Sequence, residues 1–326
     1  MSTRRQFITL LGGAAVLWPL AARAQQPIPL IGFLHPGSLN ERVHLVAALR
    51  EGLRAGGYIE GQNVTVDYRW AEDQFDRLPE LAAELVRRHA SVIVTPAGTV
   101  AALAAKRATP TIPIIFGSEN DPLKVGLVAS FNRPEGNLTG VYFLSGGLIE
   151  KRLGLIRELQ HADLVGVLLN PNDPLTDAIT SEVQQAASVV GQRIEVLHAS
   201  NNREIDAAFA SLVRKHASAV VLGPGPLFFT RRVQIVTLAT RHAIPVIYSA
   251  REYAQAGGLM SYGTDLAVAW RQVGDYAGRV LKGAKPADLP VMQATKLELV
   301  INLQTARTLD LEIPPTLLAR ADEVIE

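Results

Sequence analysis

The chain has 326 residues, 48% of them apolar and 19% charged, and contains no cysteine. A length of roughly two domains at ~150 residues each excludes a peptide or a small disulfide scaffold, and the lack of cysteine excludes thiolate zinc sites, iron–sulfur clusters and a cysteine nucleophile. The formal net charge of +1 is far from the strongly basic footprint of a nucleic-acid binder.

That charge depends on the first 24 residues. They carry Arg4, Arg5 and Arg23 and no acid, so removing them changes 32 basic against 31 acidic residues into 29 against 31, a net −2. A basic start, an apolar stretch from Phe7 to Leu20 softened by Gly12 and Gly13, and Ala22-Arg23-Ala24 ahead of Gln25 make the pattern of a secretory signal peptide. Arg4-Arg5-Gln6-Phe7-Ile8 also resembles a twin-arginine export signal. The stretch falls short of the about 20 unbroken apolar residues of a spanning helix. The expectation is cleavage near Ala24, no lipid anchor for want of a cysteine, and a soluble, slightly acidic protein in a bacterial periplasm.

Beyond residue 27, Val- and Ile-rich runs of strand length alternate with segments of helical period. In chain order the pattern predicts a strand at Leu30 to Leu34 and a helix at Arg42 to Ala55 with a Gly56-Gly57 stop. A strand at Val64 to Trp70, a helix at Leu78 to His89 and a strand at Val92 to Thr95 follow, then a helix at Val100 to Lys106 and a strand at Ile112 to Phe116. Such alternation predicts parallel sheets covered by helices on both faces.

The second half repeats the first in order. Leu30-Ile-Gly-Phe-Leu34 is matched by Leu164-Val-Gly-Val-Leu168, Gly61-Gln62 by Gly191-Gln192, Leu85 to Ser91 by Leu212 to Ser218, and Ile112-Pro-Ile-Ile-Phe116 by Ile244-Pro-Val-Ile-Tyr248. Four matches in sequence order, all close to 130 residues apart, predict two similar α/β lobes. The predicted division is a first lobe over 27–140 plus 264–288 and a second over 141–263 plus 291–326. Crossings are expected around Asn137 to Leu144, Gly258 to Gly263 and Leu289 to Gln293, with the helix from Ala267 to Leu281 in the first lobe.

Ligands of open parallel sheets bind outside the carboxyl ends of the strands, where backbone N–H groups and helix N-termini face outward. With two such lobes facing each other, the matched loops become two walls of one cleft. On the first wall, Thr95, Ala97, Gly98 and Thr99 lead into a helix, where hydroxyls and free amides suit a carboxylate or simply cap that helix. Ser38 carries the same two readings, and Ser118 and Asp121 follow in the loop after the strand at Ile112. On the second wall, Gly225 lies in Gly223-Pro-Gly-Pro226. Arg251 is either an anion anchor or a solvated charge, and Asp265 either an ammonium partner or a helix cap. Trp70, Tyr262 and Phe228 are stacking faces or interlobe plugs, Phe228 being better placed in the core. His89 and His216 read as equivalent helix-end residues.

Motifs of catalysis are missing: no Gly-x-Ser-x-Gly, no His-Glu-x-x-His, no Walker loop and no Gly-x-Gly-x-x-Gly after a strand. The seven histidines show no metal-ligand spacing. No cofactor and no metal are expected.

Ile112 to Pro122, Pro134-Glu-Gly-Asn-Leu-Thr-Gly140, Lys151-Arg152-Leu153, Leu169 to Pro174, Ile244-Pro-Val-Ile247 and the tail Ile313 to Ile325 together resemble the solute-binding proteins of bacterial ABC importers with the type I periplasmic-binding fold. The branch includes tryptophan- and phenylalanine-binding members. The resemblance implies two Rossmann-like lobes on a multi-strand hinge, a non-catalytic clamp on a small organic ligand, and an inner-membrane ABC permease as partner. It implies ligand contacts at Thr95 to Thr99, Ser118 to Asp121, after Leu222, at Ser249 to Glu252 and at Asp265. Gly-Pro-Gly-Pro after Leu222 and the cation Arg251 depart from the amino-acid-binding members, which adds aromatic and aliphatic carboxylates to aromatic and branched amino acids as candidate solutes. A monomer is expected. The alternative is an exported enzyme working through Glu119 or Asp121 in the same cleft. A transcriptional regulator of this fold would need a helix-turn-helix where this chain has its predicted export signal.

Overall fold

In a computed structural model, residues 28–143, 148–159, 163–174 and 176–326 are described. The predicted export signal over residues 1–24 and Leu144, at the edge of the first predicted crossing, lie outside them.

The first half runs β1 (Leu30–His35), α1 (Val43–Ala55), β2 (Thr65–Trp70), α2 (Leu78–Arg87), β3 (Val92–Thr95), α3 (Thr99–Ala108), β4 (Ile114–Ser118) and β5 (Leu138–Phe143). The second runs α4 (Ile149–Leu159), β6 (Leu164–Leu169), α5 (Thr176–Val189), β7 (Arg193–His198), α6 (Asn202–Arg214), β8 (Ala219–Leu222), α7 (Pro226–Thr230), α8 (Arg232–Arg241) and β9 (Val246–Tyr248). It continues with α9 (Arg251–Gln255), β10 (Met260–Thr264), α10 (Leu266–Leu281), β11 (Met292–Ala294), β12 (Leu297–Asn302), α11 (Leu303–Thr308), α12 (Pro315–Leu318) and β13 (Glu323–Ile325).

Two sheets result. Their orders are β11-β5-β4-β3-β1-β2 and β13-β12-β10-β9-β8-β6-β7. Strands pair in parallel except β10 with β12, as expected where each strand is followed by a covering helix. Reading outward from β1 and from β6, five strands correspond, β2-β1-β3-β4-β5 to β7-β6-β8-β9-β10, so the repeat seen in the sequence is a repeat of topology. Beyond them the sheets differ, β11 pairing parallel with β5 and β12 antiparallel with β10.

The crossings fall at the ends of strands. β5 lies in the first sheet, and so does β11, which pairs with β5 through Met292↔Val141 to Ala294↔Phe143. Residues 141–143 and 292–294 therefore sit with the first lobe, and the chain passes to the second lobe between Ala294 and Leu297. α10 follows β10 back to the first lobe and crosses α1 so closely that a Cβ on Gly274 would lie 2.2 Å from the Leu49 carbonyl oxygen.

Local packing explains the repeat. The mid-strand Gly32 and Gly166 each make room for a leucine from the helix above: a Cβ added at Gly32 would meet Leu85 Cδ1 at 3.0 Å, and one at Gly166 would meet Leu212 Cδ2 at 2.3 Å. α2 and α6 end alike. The N–H of Ala90 reaches the Leu85 carbonyl at 3.2 Å and that of Ala217 reaches Leu212 at 2.9 Å, with His89 and His216 between them at φ of 55° and 54°. These are left-handed helix terminations, in which histidine is tolerated better than a β-branched residue. Gly61 and Gly191 are both left-handed, at φ of 81° and 64°, ahead of β2 and β7. Gly57, at φ 83°, ends α1 as Gly191, at φ 64°, follows α5, and those two are 134 residues apart, the same shift as Gly32 and Gly166.

Candidate functional site

β1, β3 and β4 point their carboxyl ends at those of β8 and β9 across one cleft. A cavity with about 490 Å³ of atom-free space, open solvent at its mouth included, lies there. From the first lobe it is lined by His35 at the end of β1, Arg42 and Leu45 at the start of α1, Ala97, Glu119, and Leu266 and Trp270 on α10. The second lobe contributes Pro224, Gly225, Pro226 and Phe229 from the loop and short helix after β8, and Ser249 and Ala250 after β9.

The lobes are in contact around this cavity. Arg42 is 3% exposed and spans the cleft, donating to the Pro226 carbonyl at 3.2 Å and to Thr230 Oγ1 at 3.2 Å, with its guanidinium 4.7 Å from the centre of the Phe229 ring. The Thr230 hydroxyl donates to Asp73 Oδ1 at 3.1 Å, so a hydroxyl links the buried cation to a carboxylate of its own lobe. Burial draws the Arg42 pKa down to about 10, with Asp73 opposing the fall, and it stays charged at neutral pH. Glu41 pairs with Arg232, His44 Nε2 lies 2.9 Å from Glu252 Oε1, and Asn120 donates to Asp173 at 3.0 Å. Each of these contacts joins one lobe to the other.

Glu119 is half-buried. Both its carboxylate oxygens accept from the Gly98 N–H, at 3.1 and 3.2 Å, so it sits at the N-terminus of α3. Burial pushes its pKa up to about 7, Asp173 across the cleft adding to the rise and the backbone N–H groups opposing it. His35 is buried completely. Burial, followed by the Arg42 charge, holds its pKa well below the usual histidine range, and it is neutral at pH 7.

Of the residues singled out in the sequence, Ala97, Glu119 and Gly225 line the cavity, with Ser249 and Ala250 of the loop after β9. Gly98 and Gly225 cap α3 and α7 at φ of 92° and 141°, and they are equivalent positions of the two lobes. A Cβ on Gly98 would lie 2.6 Å from Pro36 and 3.6 Å from Pro226 of the opposite wall. Thr99, Ser118 and Thr95 are buried behind the wall, Thr99 Oγ1 lying 2.8 Å from Ser118 Oγ. Trp70 backs His35, their rings 5.0 Å apart.

The remaining predicted residues have other partners. The Ser38 carbonyl accepts from Arg42 at 3.2 Å. Asp121 accepts from the N–H of Leu123 at 2.8 Å, within its own loop. Asp265 caps α10 through the Val268 N–H at 3.0 Å and takes Lys296 Nζ at 2.8 Å. Arg251 donates to Glu298 at 3.0 Å and pairs with Glu323. The Tyr262 carbonyl accepts from Arg152 at 2.8 Å, and Phe228 is fully buried in the core. Arg42, Phe229 and Trp270 were not singled out, and His35 counted only as the first residue of the wall loop that ends in Ser38. A basic residue and an aromatic at the two ends of helices that both follow a cleft-facing strand would have been the signal to look for. Among the described residues no cluster of three or more His, Asp or Glu has metal-binding geometry.

Fold and cleft together define a two-lobe receptor for a small solute, and the chain belongs to the ABC transporter substrate binding protein family, whose profile matches residues 31–325. It is therefore similar to proteins that bind substrates for transporters. A tyrosine-binding protein of Clostridioides difficile is 28% identical over 281 residues, covering 85% of this chain and 79% of that one. The crystal structure of a conserved domain protein from Vibrio cholerae superimposes with a TM-score of 0.84 at 26% identity, covering 91% of this chain and 99% of the other. An ABC domain from Streptococcus pneumonia in complex with L-Trp gives 0.83 at 25% identity, with the same coverage.

Proposed function

We propose that this protein is the exported receptor of an ABC importer for an aromatic amino acid, closing its two lobes on the solute and releasing it to an inner-membrane permease without altering it. The observation that carries the reading is the composition of the interlobe cavity. Phe229 and Trp270 supply aromatic walls, Arg42 a buried cation and Glu119 a half-buried carboxyl at the N-terminus of α3. An aromatic zwitterion has the complementary parts: a flat apolar body, an ammonium for Glu119 and a carboxylate on the cationic side. The tyrosine-binding relative and the L-Trp complex support the choice of solute. Binding that favours the closed arrangement drives closure by differential affinity.

Export through residues 1–24 to the periplasm belongs to the same reading, as does a monomeric receptor. Asp121, Arg251 and Asp265 are assigned to holding loop and lobe geometry next to the site, and Thr95, Thr99 and Ser118 to bracing its first wall. The test is a thermal-shift and calorimetric panel of L-tyrosine, L-tryptophan, L-phenylalanine, L-leucine and 4-hydroxyphenylacetate. The expected result is a raised melting temperature with an aromatic amino acid and its recovery intact by mass spectrometry. A shift with 4-hydroxyphenylacetate alone would move the solute to carboxylates, and turnover would overturn the receptor reading. Amino-terminal sequencing of the periplasmic fraction should begin at Gln25.

A further inference from the structure

Two side chains lining the cavity carry nitrogen atoms with no partner among the described residues, His35 Nε2 and Trp270 Nε1. Both residues are 0% exposed. The Gly37 N–H donates to His35 Nδ1 at 2.9 Å, which makes Nδ1 the acceptor and leaves the proton of the neutral ring on Nε2. The indole Nε1–H is a donor only. The two rings are neighbours, 5.6 Å between centroids and tilted by 42°, and Phe33, 6.1 Å from each, fixes both from behind. Buried donors are almost always paired in folded proteins, and two unpaired ones on neighbouring rings of residues that line the cavity mark a place for an acceptor.

We infer that His35 Nε2–H and Trp270 Nε1–H form a two-donor seat on the first lobe that takes the carboxylate of the bound solute. The inference rests on the cavity being the solute site and adds which groups orient the solute in it. Three of the five N–H groups of Arg42, two on Nη1 and one on Nη2, already serve Ser38, Thr230 and Pro226. Arg42 adds its charge beside the carboxylate, and the imidazole and the indole add directional bonds. Such charge-assisted bonds also set orientation: with the carboxylate here, Glu119 on the same wall is left to the ammonium.

The test is calorimetry on the purified full chain with L-tyrosine, L-tyrosinamide, which keeps only a neutral carbonyl, and tyramine, which has no acceptor there. The variants are Trp270→Phe, His35→Leu and His35→Gln, whose amide restores a donor near Nε2. Trp270→Phe and His35→Leu should each weaken L-tyrosine about tenfold, as expected for one lost hydrogen bond, and L-tyrosinamide by less, with tyramine unmoved. His35→Gln should stay within about threefold of wild type. Equal losses for L-tyrosine and tyramine, or unchanged L-tyrosine affinity in all three variants, would overturn the seat while leaving the receptor reading intact. If the wild type binds none of the three, the aromatic solute falls. A long-range 15N–1H spectrum then decides the seat, with a proton on His35 Nε2 supporting it and a proton on Nδ1 overturning it.

Discussion

The first lobe brings His35, Arg42 and Glu119 to the cavity, whereas the second brings prolines, Gly225, Phe229, Ser249 and Ala250, with no titratable side chain among them. Yet the two lobes share strand order, helix terminations and the pairing of a mid-strand glycine with a helix leucine. Positions that close the core are held alike in both lobes because a buried strand tolerates little change in volume. Positions that face the cleft have no such neighbour and are free to differ. One lobe supplies the charged side chains of the cavity, and the other an apolar face and the Pro226 carbonyl that accepts from Arg42.

The largest expected effect tests the shared framework. Leu85→Ala and Leu212→Ala should each cost about 3 kcal/mol in urea unfolding, since both leucines are 0% exposed and fill equivalent sites. A large loss in one lobe alone would break the equivalence.

Next comes the bridging cation. Arg42→Ala should weaken solute binding by about 2.5 kcal/mol, because its bonds to Pro226 and Thr230 join the lobes only when they meet. Unchanged affinity by calorimetry would show that these contacts do not favour closure.

The framework also differs in tightness. Gly166→Ala should destabilise by about 2 kcal/mol, more than Gly32→Ala, because its Cβ would lie 2.3 Å from a buried leucine methyl rather than 3.0 Å. Equal losses would mean that Leu212 yields as easily as Leu85.

The smallest effect isolates the carboxyl of the first wall. Folding raises the Glu119 pKa to about 7 from 4.5, so the stability of the solute-free protein should fall as pH rises from 4.5 through about 7. Glu119→Gln removes that dependence. The variant should equal wild type below pH 4.5 and exceed it by about 1.5 kcal/mol at pH 8, less than the full shift because the group is only half-buried. Parallel unfolding curves at pH 4.5 and 8 for both proteins would show that Glu119 is as well solvated folded as unfolded.

Much of the fold was legible in the sequence. β3 spans Val92–Thr95 as the apolar run predicts, and the helix expected from Ala267 to Leu281 packs on α1 in the first lobe. Strand period, helix period and stop signals are local, and a repeat written twice exposes its own register. The site was less legible. Asp265 and Arg251 carry the chemistry of ligand anchors, but Lys296, Glu298 and Glu323, lying 31 to 72 residues away, meet them in the second lobe. Phe228 and Phe229 are adjacent letters, and the turn of one helical residue puts the first in the core and the second on the cavity.

By itself, the sequence determined two α/β lobes of one pattern, the cleft between the carboxyl ends of their strands, and a resemblance to receptors of ABC importers, because these follow from periodicity and order along the chain. Only the tertiary structure decided which side chains meet in that cleft. His35 and Trp270 are 235 residues apart in sequence and become neighbours because α10 returns to the first lobe after β10. The unpaired state of their nitrogens depends on what every other polar group nearby has already found.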